Sequence, residues 1–220
     1  QVLFEDNHLI AINKRPGDIV QGDKTKDTPL VEIVKEYLKI KYDKPGNVYL
    51  GVIHRIDRPT SGVAVFAKTS KALSRMNLML KDHTIQKTYW AITQNKPKNE
   101  TDKLTHWLRK NKRNNKSTHF PKETKNAKKA ILTYKILKEL DNYFLLEVSM
   151  KSGRHHQIRC QLQAIGCPIK GDIKYGSKRT NKDGSIDLHA RNVKFMHPVS
   201  KKQIDITAPL RDQKIWQNCV

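Results

Sequence analysis

Residues 51–68, GVIHRIDRPTSGVAVFAK, constrain the fold more than any other stretch of the chain. Two apolar runs, Val48–Ile53 and Val63–Ala67, flank a polar turn. Short runs that are rich in Val, Ile and Phe and bounded by Pro and Gly are typical of buried strands. The turn between them carries one carboxylate, Asp57. Because reacting groups favour loops that a rigid scaffold positions, Asp57 is a candidate catalytic residue.

The same turn also has a purely structural interpretation. Arg55, Asp57 and Arg58 can form a solvated ion pair at a strand end, and such pairs are worth roughly 0–1 kcal/mol. His54 can be a hydrogen-bonding group of the scaffold or a base. Composition alone favours the structural interpretation, so a chemical role for Asp57 needs support from elsewhere in the chain.

Periodicity along the chain predicts three helices among a larger number of strands. A first helix opens at Pro29, a second follows Thr69 over residues 70–81, and a third runs from about residue 155 to 165. The further predicted strands are Leu9–Asn13, Ile85–Thr93, Ala130–Leu137, Tyr143–Met150, Leu188–Phe195 and Gln203–Thr207. Strands that dominate over three helices indicate an α+β fold.

The net charge of the chain points to a polyanionic partner. Lys and Arg total 43 against 21 Asp and Glu over 220 residues, which gives a formal charge of +22. Such an excess informs on partners rather than on fold. RNA, DNA and anionic membranes all fit the charge. The membrane is the weakest of the three, because no basic amphipathic helix with an aromatic face stands out.

Residues 94–129 form a polar, basic stretch that differs from the rest of the chain. From Lys110 to Lys129 there are eight Lys or Arg residues and one acid. Trp107, His119 and Phe120 are interleaved with these charges and could stack on bases. The alternative is a solvated β-hairpin without a ligand, and the overall charge favours an arm that contacts RNA.

Cysteine usage indicates a reducing compartment. Cys160, Cys167 and Cys219 cannot all be paired within one chain, which suggests free thiols and a cytoplasmic protein.

Searches for cofactor and metal motifs give none. The chain has no glycine-rich nucleotide loop, no HExxH and no paired CxxC. His155, His156, Cys160 and Cys167 cluster in sequence, but their spacing matches no familiar metal site. Ser61 lacks the GxSxG context of a serine hydrolase. The sequence therefore predicts neither a cofactor nor a metal.

Five motifs together resemble one enzyme family. HRIDRPTSG is similar to the signature HRLDxxTSG of the RluA-type pseudouridine synthases, which isomerise uridine in ribosomal or transfer RNA. The other four are FEDNHLIAINKRPG, QKTYWA, SGRHHQIRCQLQAIGCPIKGDIKYG and LHARNVKFMHP, in the order of the family. Departures from the pattern at Ile56, Ser152, Gln161 and Cys167 touch none of the three positions that are expected to do chemistry.

The resemblance implies roles for five residues. Asp57 corresponds to the aspartate that attacks the target nucleoside, and Tyr89 to the tyrosine that stacks on uracil and helps remove its C5 proton. Arg159 corresponds to the basic residue that keeps the aspartate ionised. Arg55 and Arg154 correspond to arginines that contact RNA.

The resemblance also implies an architecture and a partner. We expect one catalytic domain over residues 1–220, built as two lobes that share a mixed, mostly antiparallel sheet with flanking helices and a central cleft. The basic arm at about residues 94–129 belongs to this domain. We further expect a monomer that acts on RNA, with ribosomal RNA preferred over transfer RNA. A non-catalytic RNA-binding assembly factor and an N-glycosidase that releases uracil are the competing functions.

Overall fold

Two compact units make up the structure, a computed structural model that describes residues 1–23 and 25–219. Unit 1 contains residues 1–85 and 190–209, and unit 2 contains residues 86–189 together with the stretch from Leu210 onward. Within the described residues, no helix has the length and apolar character needed to cross a membrane.

Eleven strands and four α-helices lie within the described residues. The strands are β1 (Val2–Glu5), β2 (Leu9–Lys14), β3 (Gly51–Val52), β4 (Ser61–Ala67), β5 (Gln86–Thr93), β6 (Thr101–Asn111), β7 (Lys116–Phe120), β8 (Lys128–Leu140), β9 (Tyr143–Met150), β10 (Leu188–Met196) and β11 (Gln203–Thr207). The helices are α1 (Leu30–Lys41), α2 (Ser70–Lys81), α3 (Gln157–Ala164) and the short α4 (Lys214–Gln217).

Strand β4 is the centre of unit 1, and all seven of its residues are buried. It pairs antiparallel with β2, which in turn pairs with β1. Strand β10 lies along the other edge of β4 and pairs with β11. Side chains from these strands and from α2 form one apolar cluster, with Leu9, Val65, Met76 and Phe195 among its members. Burial of this cluster fixes the strand that leads out of the Asp57 turn.

Two expectations about the flanks of this turn have different outcomes. The strand predicted over Val48–Ile53 is reduced to Gly51–Val52, so that prediction is wrong for most of its length. The reason is that β3 pairs only with the Ala67 end of β4, whose remaining edge faces β10. The helix predicted over 70–81 is confirmed, and the Thr69 hydroxyl accepts a hydrogen bond from the Ala72 amide at 3.1 Å.

Unit 2 is an antiparallel sheet in the order β5-β9-β8-β6-β7. Helix α3 packs on one face of this sheet, where Cys160 joins Leu108, Ala130 and Tyr175 in a buried cluster. We call the sheet face that α3 covers the inner face and the opposite one the outer face. Each of the strands β5, β8, β9 and β10 begins or ends within a few residues of its predicted bounds.

Glycine is required at position 62 by the packing of β4 against β10. Gly62 has a φ of +110°, a region that side chains disfavour. A Cβ atom at this position would lie 2.2 Å from the carbonyl oxygen of Ala190. The end of the Asp57 turn is therefore held in close backbone contact with its neighbouring strand.

Candidate active site

Asp57 is half-buried on the connection between β3 and β4. The Thr60 amide donates a hydrogen bond to the Asp57 carbonyl oxygen at 3.0 Å, which closes the turn. Ile56 and Thr60 on either side are buried, with 7% and 1% of their surface exposed. These anchors give the carboxylate a defined position while leaving part of it open to solvent.

Lys14 ties this turn to the end of β2. Its ammonium group is buried and donates to the carbonyl oxygens of Arg15 (2.9 Å), Asp18 (2.8 Å) and Arg58 (3.0 Å). The Gly17 amide also donates to the Arg58 carbonyl, at 2.9 Å. The residue that follows Asp57 is thus held by two donors from a distant part of the chain.

Electrostatics link Lys14 to Asp57. Burial lowers the pKa of Lys14 to about 8, and the negative charges of Asp18 and Asp57 oppose that shift. Charges influence each other through the protein only over a short range. A positive charge therefore lies within electrostatic reach of the candidate carboxylate.

Two neighbours of Asp57 in sequence, His54 and Arg58, have defined side-chain contacts. Arg58 forms an ion pair with Asp27 at 2.5 Å and contacts the Thr25 hydroxyl at 3.3 Å. His54 accepts a hydrogen bond from the Val65 amide at its Nε2 atom, at 3.3 Å, which supports the structural interpretation of this histidine. Arg55 is exposed, as a residue that contacts RNA must be.

Arg159 lies on α3 of unit 2, with 5% of its surface exposed. Its Nε and Nη2 atoms donate to the two carboxylate oxygens of Asp172 at 2.6 and 2.8 Å. The guanidinium carbon lies 5.0 Å from the centre of the Tyr175 ring. A planar guanidinium held by a forked pair and an aromatic ring has one defined orientation.

Tyr175 joins α3 to strand β7. Its hydroxyl oxygen accepts from the Ser117 amide at 2.7 Å and lies 3.0 Å from His156 Nδ1. Burial raises the pKa of Tyr175 to about 12. Burial, reinforced by the charge of Arg159 and other cations, lowers the pKa of His156 to about 2. Both groups are therefore neutral at physiological pH. The Tyr175 ring contacts the Arg159 guanidinium, and the Ser117 amide and His156 contact the Tyr175 hydroxyl.

Tyr89 lies on β5, with 8% of its surface exposed. The register pairs it with Val148 on β9, which pairs with Tyr134 on β8. Tyr134 shares its side of β8 with Ala130, which lies in the cluster that contacts α3. Tyr89 therefore points to the inner face of the sheet, the face that α3 and Arg159 occupy.

Arg154 precedes α3 and is exposed. Its Nε atom donates to the Lys129 carbonyl oxygen at 3.0 Å. The Gln157 side-chain oxygen accepts from the Arg154 amide and from the Ser152 hydroxyl, both at 2.9 Å. The base of the basic arm and the start of α3 are thus joined through Arg154.

Three supporting residues received no role from the sequence. Asp172 and Tyr175 both lie in the motif GDIKYG. The acid and the aromatic residue at fixed spacing in this motif are the sequence pattern that could have identified them. Lys14 ends the apolar run LIAINK, where a charged residue is typical of the exposed end of a strand. Its buried position, with 1% exposed, is visible only in the fold.

The five predicted site residues divide between the two units. Asp57 and Arg55 belong to unit 1, whereas Tyr89, Arg154 and Arg159 belong to unit 2. Within unit 2 the structure places Tyr89 and Arg159 on the same side of the sheet. The chemical roles of all five remain predictions.

The cysteine and histidine cluster consists of packed side chains. The rings of His155 and His156 stack with centres 3.7 Å apart, and Cys160 and Cys167 are free and buried. Over residues 1–23 and 25–219, no group of three or more His, Cys, Asp or Glu side chains is placed to hold a metal ion.

Comparisons with known proteins agree on one family. The family model described as RNA pseudouridylate synthase matches residues 8–164. The ribosomal large subunit pseudouridine synthase C of Vibrio vulnificus is 31% identical over 218 residues, which cover 96% of this chain and 66% of that protein. The Rickettsia felis protein of the same name is 34% identical over 212 residues, or 95% and 67% of the two chains. The chain thus spans about two thirds of the length of these curated relatives.

Two solved structures share the fold. The human RNA pseudouridylate synthase domain containing 4 superposes with a TM-score of 0.80 at 21% identity and covers 99% of this chain and 90% of that one. The human domain containing 1 gives 0.75 at 17% identity, with 99% and 86% covered. At these identities the matches establish the fold alone, and they confirm the α+β architecture that the resemblance implied.

Proposed function

The chain belongs to the RNA pseudouridylate synthase family, and we propose that it isomerises uridine to pseudouridine within structured RNA. The names of the curated relatives support ribosomal RNA as the substrate, and transfer RNA is the alternative. The net charge of +22 supports a polyanionic substrate of either kind. We propose that residues 1–220 act as one catalytic domain, monomeric and cytoplasmic.

The reaction exchanges one glycosidic bond for another. The bond between N1 of uracil and C1′ of ribose breaks, the base turns, and C5 bonds to C1′ in its place. C5 loses a proton and N1 gains one, so the reaction involves no net oxidation or reduction. It therefore needs no redox cofactor, and we propose that the protein uses neither a cofactor nor a metal.

Asp57 is the residue to which we assign the first step. Its carboxylate either attacks C1′ as a nucleophile or removes the C2′ proton as a base, and both routes free the uracil for rotation. The rigid turn around Asp57 supports this assignment, since chemistry of either kind needs a carboxylate in a fixed position.

Arg159 and Tyr89 complete the proposed catalytic set. A guanidinium near a carboxylate favours its ionised form, so we assign Arg159 to keeping Asp57 anionic. The forked pair with Asp172 holds the Arg159 guanidinium in one orientation. We assign Tyr89 to stacking on the base and to removal of the C5 proton, consistent with its position on the inner face.

The target uridine must leave its RNA helix or loop before it can react. Extrusion of a base costs a few kcal/mol, and stacking on an aromatic ring returns about 1–3 kcal/mol per base. We propose that Tyr89 supplies this stacking and that Arg55 and Arg154, both exposed, contact the RNA.

The observation that carries the proposal is the half-buried Asp57 within HRIDRPTSG, in a chain that the family model covers from residue 8 to 164. The test incubates the purified protein with a large-subunit ribosomal RNA transcript and separates the digested nucleosides by chromatography. Asp57→Asn should bind the transcript and form no pseudouridine. Asp23→Asn, which changes an exposed carboxylate, is the matched control and should retain activity.

Other outcomes would identify the competing functions. Release of free uracil would indicate a glycosidase, and binding without any product would indicate an RNA-binding factor. Equal activity of wild type and Asp57→Asn would remove Asp57 from the mechanism. Mapping of pseudouridines in total RNA from cells that lack the gene would then decide between ribosomal and transfer RNA.

A further inference from the structure

The outer face of the β7-β6-β8 sheet carries two aromatic rings side by side. Trp107 on β6 pairs directly with Phe120 on β7 and with Lys129 on β8. Residues that pair directly on antiparallel strands point to the same side. The two rings and the lysine therefore form one row across three strands.

This row lies on the side of the sheet away from α3. Leu108, the next residue after Trp107, points inward and joins Ala130 and Cys160 in the cluster under the helix. Trp107 and Phe120 are half-buried, so each ring keeps part of its surface open to solvent. A surface that exposes two adjacent aromatic rings is a candidate contact site.

Two exposed cations frame the rings. The Arg109 guanidinium carbon lies 4.7 Å from the centre of the Phe120 ring, and Lys129 Nζ lies 5.6 Å from that of Trp107. Lys103, on the same side of β6, is also exposed. We call the set Trp107, Arg109, Phe120 and Lys129 the outer aromatic patch.

The structure divides the aromatic residues that the sequence grouped together. His119 pairs with Leu108 and its ring lies 5.5 Å from that of His106, so it belongs to the inner face. Trp107 and Phe120 are left as the outward pair. Of the three, only Trp107 and Phe120 are therefore placed to stack on bases at the outer face.

We propose that the outer aromatic patch binds a single-stranded segment of RNA, with bases stacked on Trp107 and Phe120 and phosphates held by Arg109 and Lys129. Charge complementarity selects nucleic acid over a protein partner, because the segment from Lys110 to Lys129 has eight cations and one acid. Stacking accepts any base, so the patch grips RNA without reading its sequence. The proposal rests on the proposed function only in taking RNA as the partner.

The first experiment measures affinity for a short oligocytidylate, which contains no uridine and cannot be a substrate. Trp107→Leu and Phe120→Leu keep apolar volume on the sheet and remove the ring. Each should weaken binding roughly 5- to 150-fold, the loss of one stacked base. Unchanged affinity in both variants would overturn the proposal.

A charge-matched pair of variants separates this face from the general positive charge. Arg109→Ala with Lys129→Ala removes two cations from the outer face. Lys110→Ala with Lys128→Ala removes two exposed cations at adjacent positions that point to the inner face. We expect the first pair to weaken oligocytidylate binding more than the second. An equal or reversed effect would contradict the assignment to the outer face.

Fluorescence of the wild-type protein keeps the test valid if a leucine variant fails to fold. Stacking of a base on Trp107 should quench its emission, and the quenching should vanish in Trp107→Phe while binding by the two phenylalanine rings persists. Emission of the wild type that oligocytidylate leaves unaltered would overturn the proposal. Pseudouridine formation, measured separately on the transcript, shows whether the proposed function stands independently of these results.

Discussion

At the scale of single residues, the forked pair between Arg159 and Asp172 bears on both the stability of unit 2 and the orientation of the Arg159 guanidinium. Both side chains are almost fully buried, with 6% and 1% exposed. Removing one partner of a buried pair leaves an uncompensated charge, which costs far more than loss of a surface pair. Asp172 is in this sense a positioning residue for the guanidinium that we assign to catalysis.

Asp172→Asn should lower the free energy of unfolding by about 3 kcal/mol or more and reduce turnover, because Arg159 loses its orienting carboxylate. The control is Asp205→Asn, whose partner Lys194 lies 2.8 Å away at an exposed position, and which should cost less than about 1 kcal/mol. Urea unfolding and the rate of pseudouridine formation measure the two effects. Similar losses in the two variants would refute the role of Asp172.

The lowered pKa of Glu5 predicts how the free energy of unfolding of unit 1 changes at acid pH. Burial raises the pKa of Glu5, but hydrogen bonds from Lys41, Tyr42, Lys68 and Tyr37 outweigh it and hold the pKa at about 2, below the ordinary 4.5. A depressed carboxyl pKa contributes stability that is present above 4.5 and is lost as the pH falls towards 2.

Glu5→Gln should therefore be less stable than wild type at neutral pH, and the difference should shrink between pH 4.5 and 2. Urea unfolding across this range measures it. Glu32→Gln is the control, because the Glu32–Lys35 pair is more exposed and lies on a helix surface. A constant difference between wild type and Glu5→Gln at all pH values would exclude the mechanism.

Structural features that depend on neighbouring residues were predicted from the sequence. Side-chain contacts between residues far apart in the chain were not. The Asp57 turn and the Thr69 cap depend on a few neighbouring positions, and both lie where the pattern predicts. Lys14 donates to the Arg58 carbonyl across 44 positions of the chain, and Arg159 finds Asp172 only after a turn that follows its helix. Neither partnership leaves a periodic pattern that could have been recognised in advance.

At the scale of elements, the contact between β4 and β10 sets the end of the Asp57 turn. Gly62→Ala would place a methyl group 2.2 Å from the Ala190 carbonyl oxygen and strain a φ of +110°. We expect the free energy of unfolding to fall by about 2–5 kcal/mol. Gly46→Ala is the matched control, since Gly46 has a φ of +76° with no atom within 4 Å of the added methyl group. It should cost about 1–2 kcal/mol from backbone strain alone.

Urea unfolding of the two alanine variants separates steric overlap from backbone strain. If Gly62→Ala were no less stable than Gly46→Ala, the close approach of the two strands would not exist in solution.

Element length was predicted less well than element type, as β3 shows. Its apolar residues Val48 and Leu50 continue the pattern, but the edge of β4 that they would need lies beside β10.

At the scale of the whole molecule, the distribution of charge should govern RNA affinity. Replacing Lys112, Lys122 and Lys125 by Gln should reduce the slope of log affinity against log salt by about 0.7–0.9 for each RNA phosphate that the variant no longer neutralises. Filter binding to the ribosomal RNA transcript at several salt concentrations gives this slope. The same three-charge change at Lys39, Lys71 and Lys81 in unit 1 is the control. An unchanged slope in the first variant would show that the arm does not touch RNA.

Strand β7 connects two activities that are usually considered separately. Phe120 belongs to the surface we assign to RNA docking, while the Ser117 amide supports Tyr175, on whose ring Arg159 rests. Phe120 and Ser117 are only three positions apart on β7, which is an edge strand. A change that unpairs β7 from the sheet should weaken RNA binding and also misalign the Arg159 guanidinium. Loss of binding and loss of turnover would then have one structural cause.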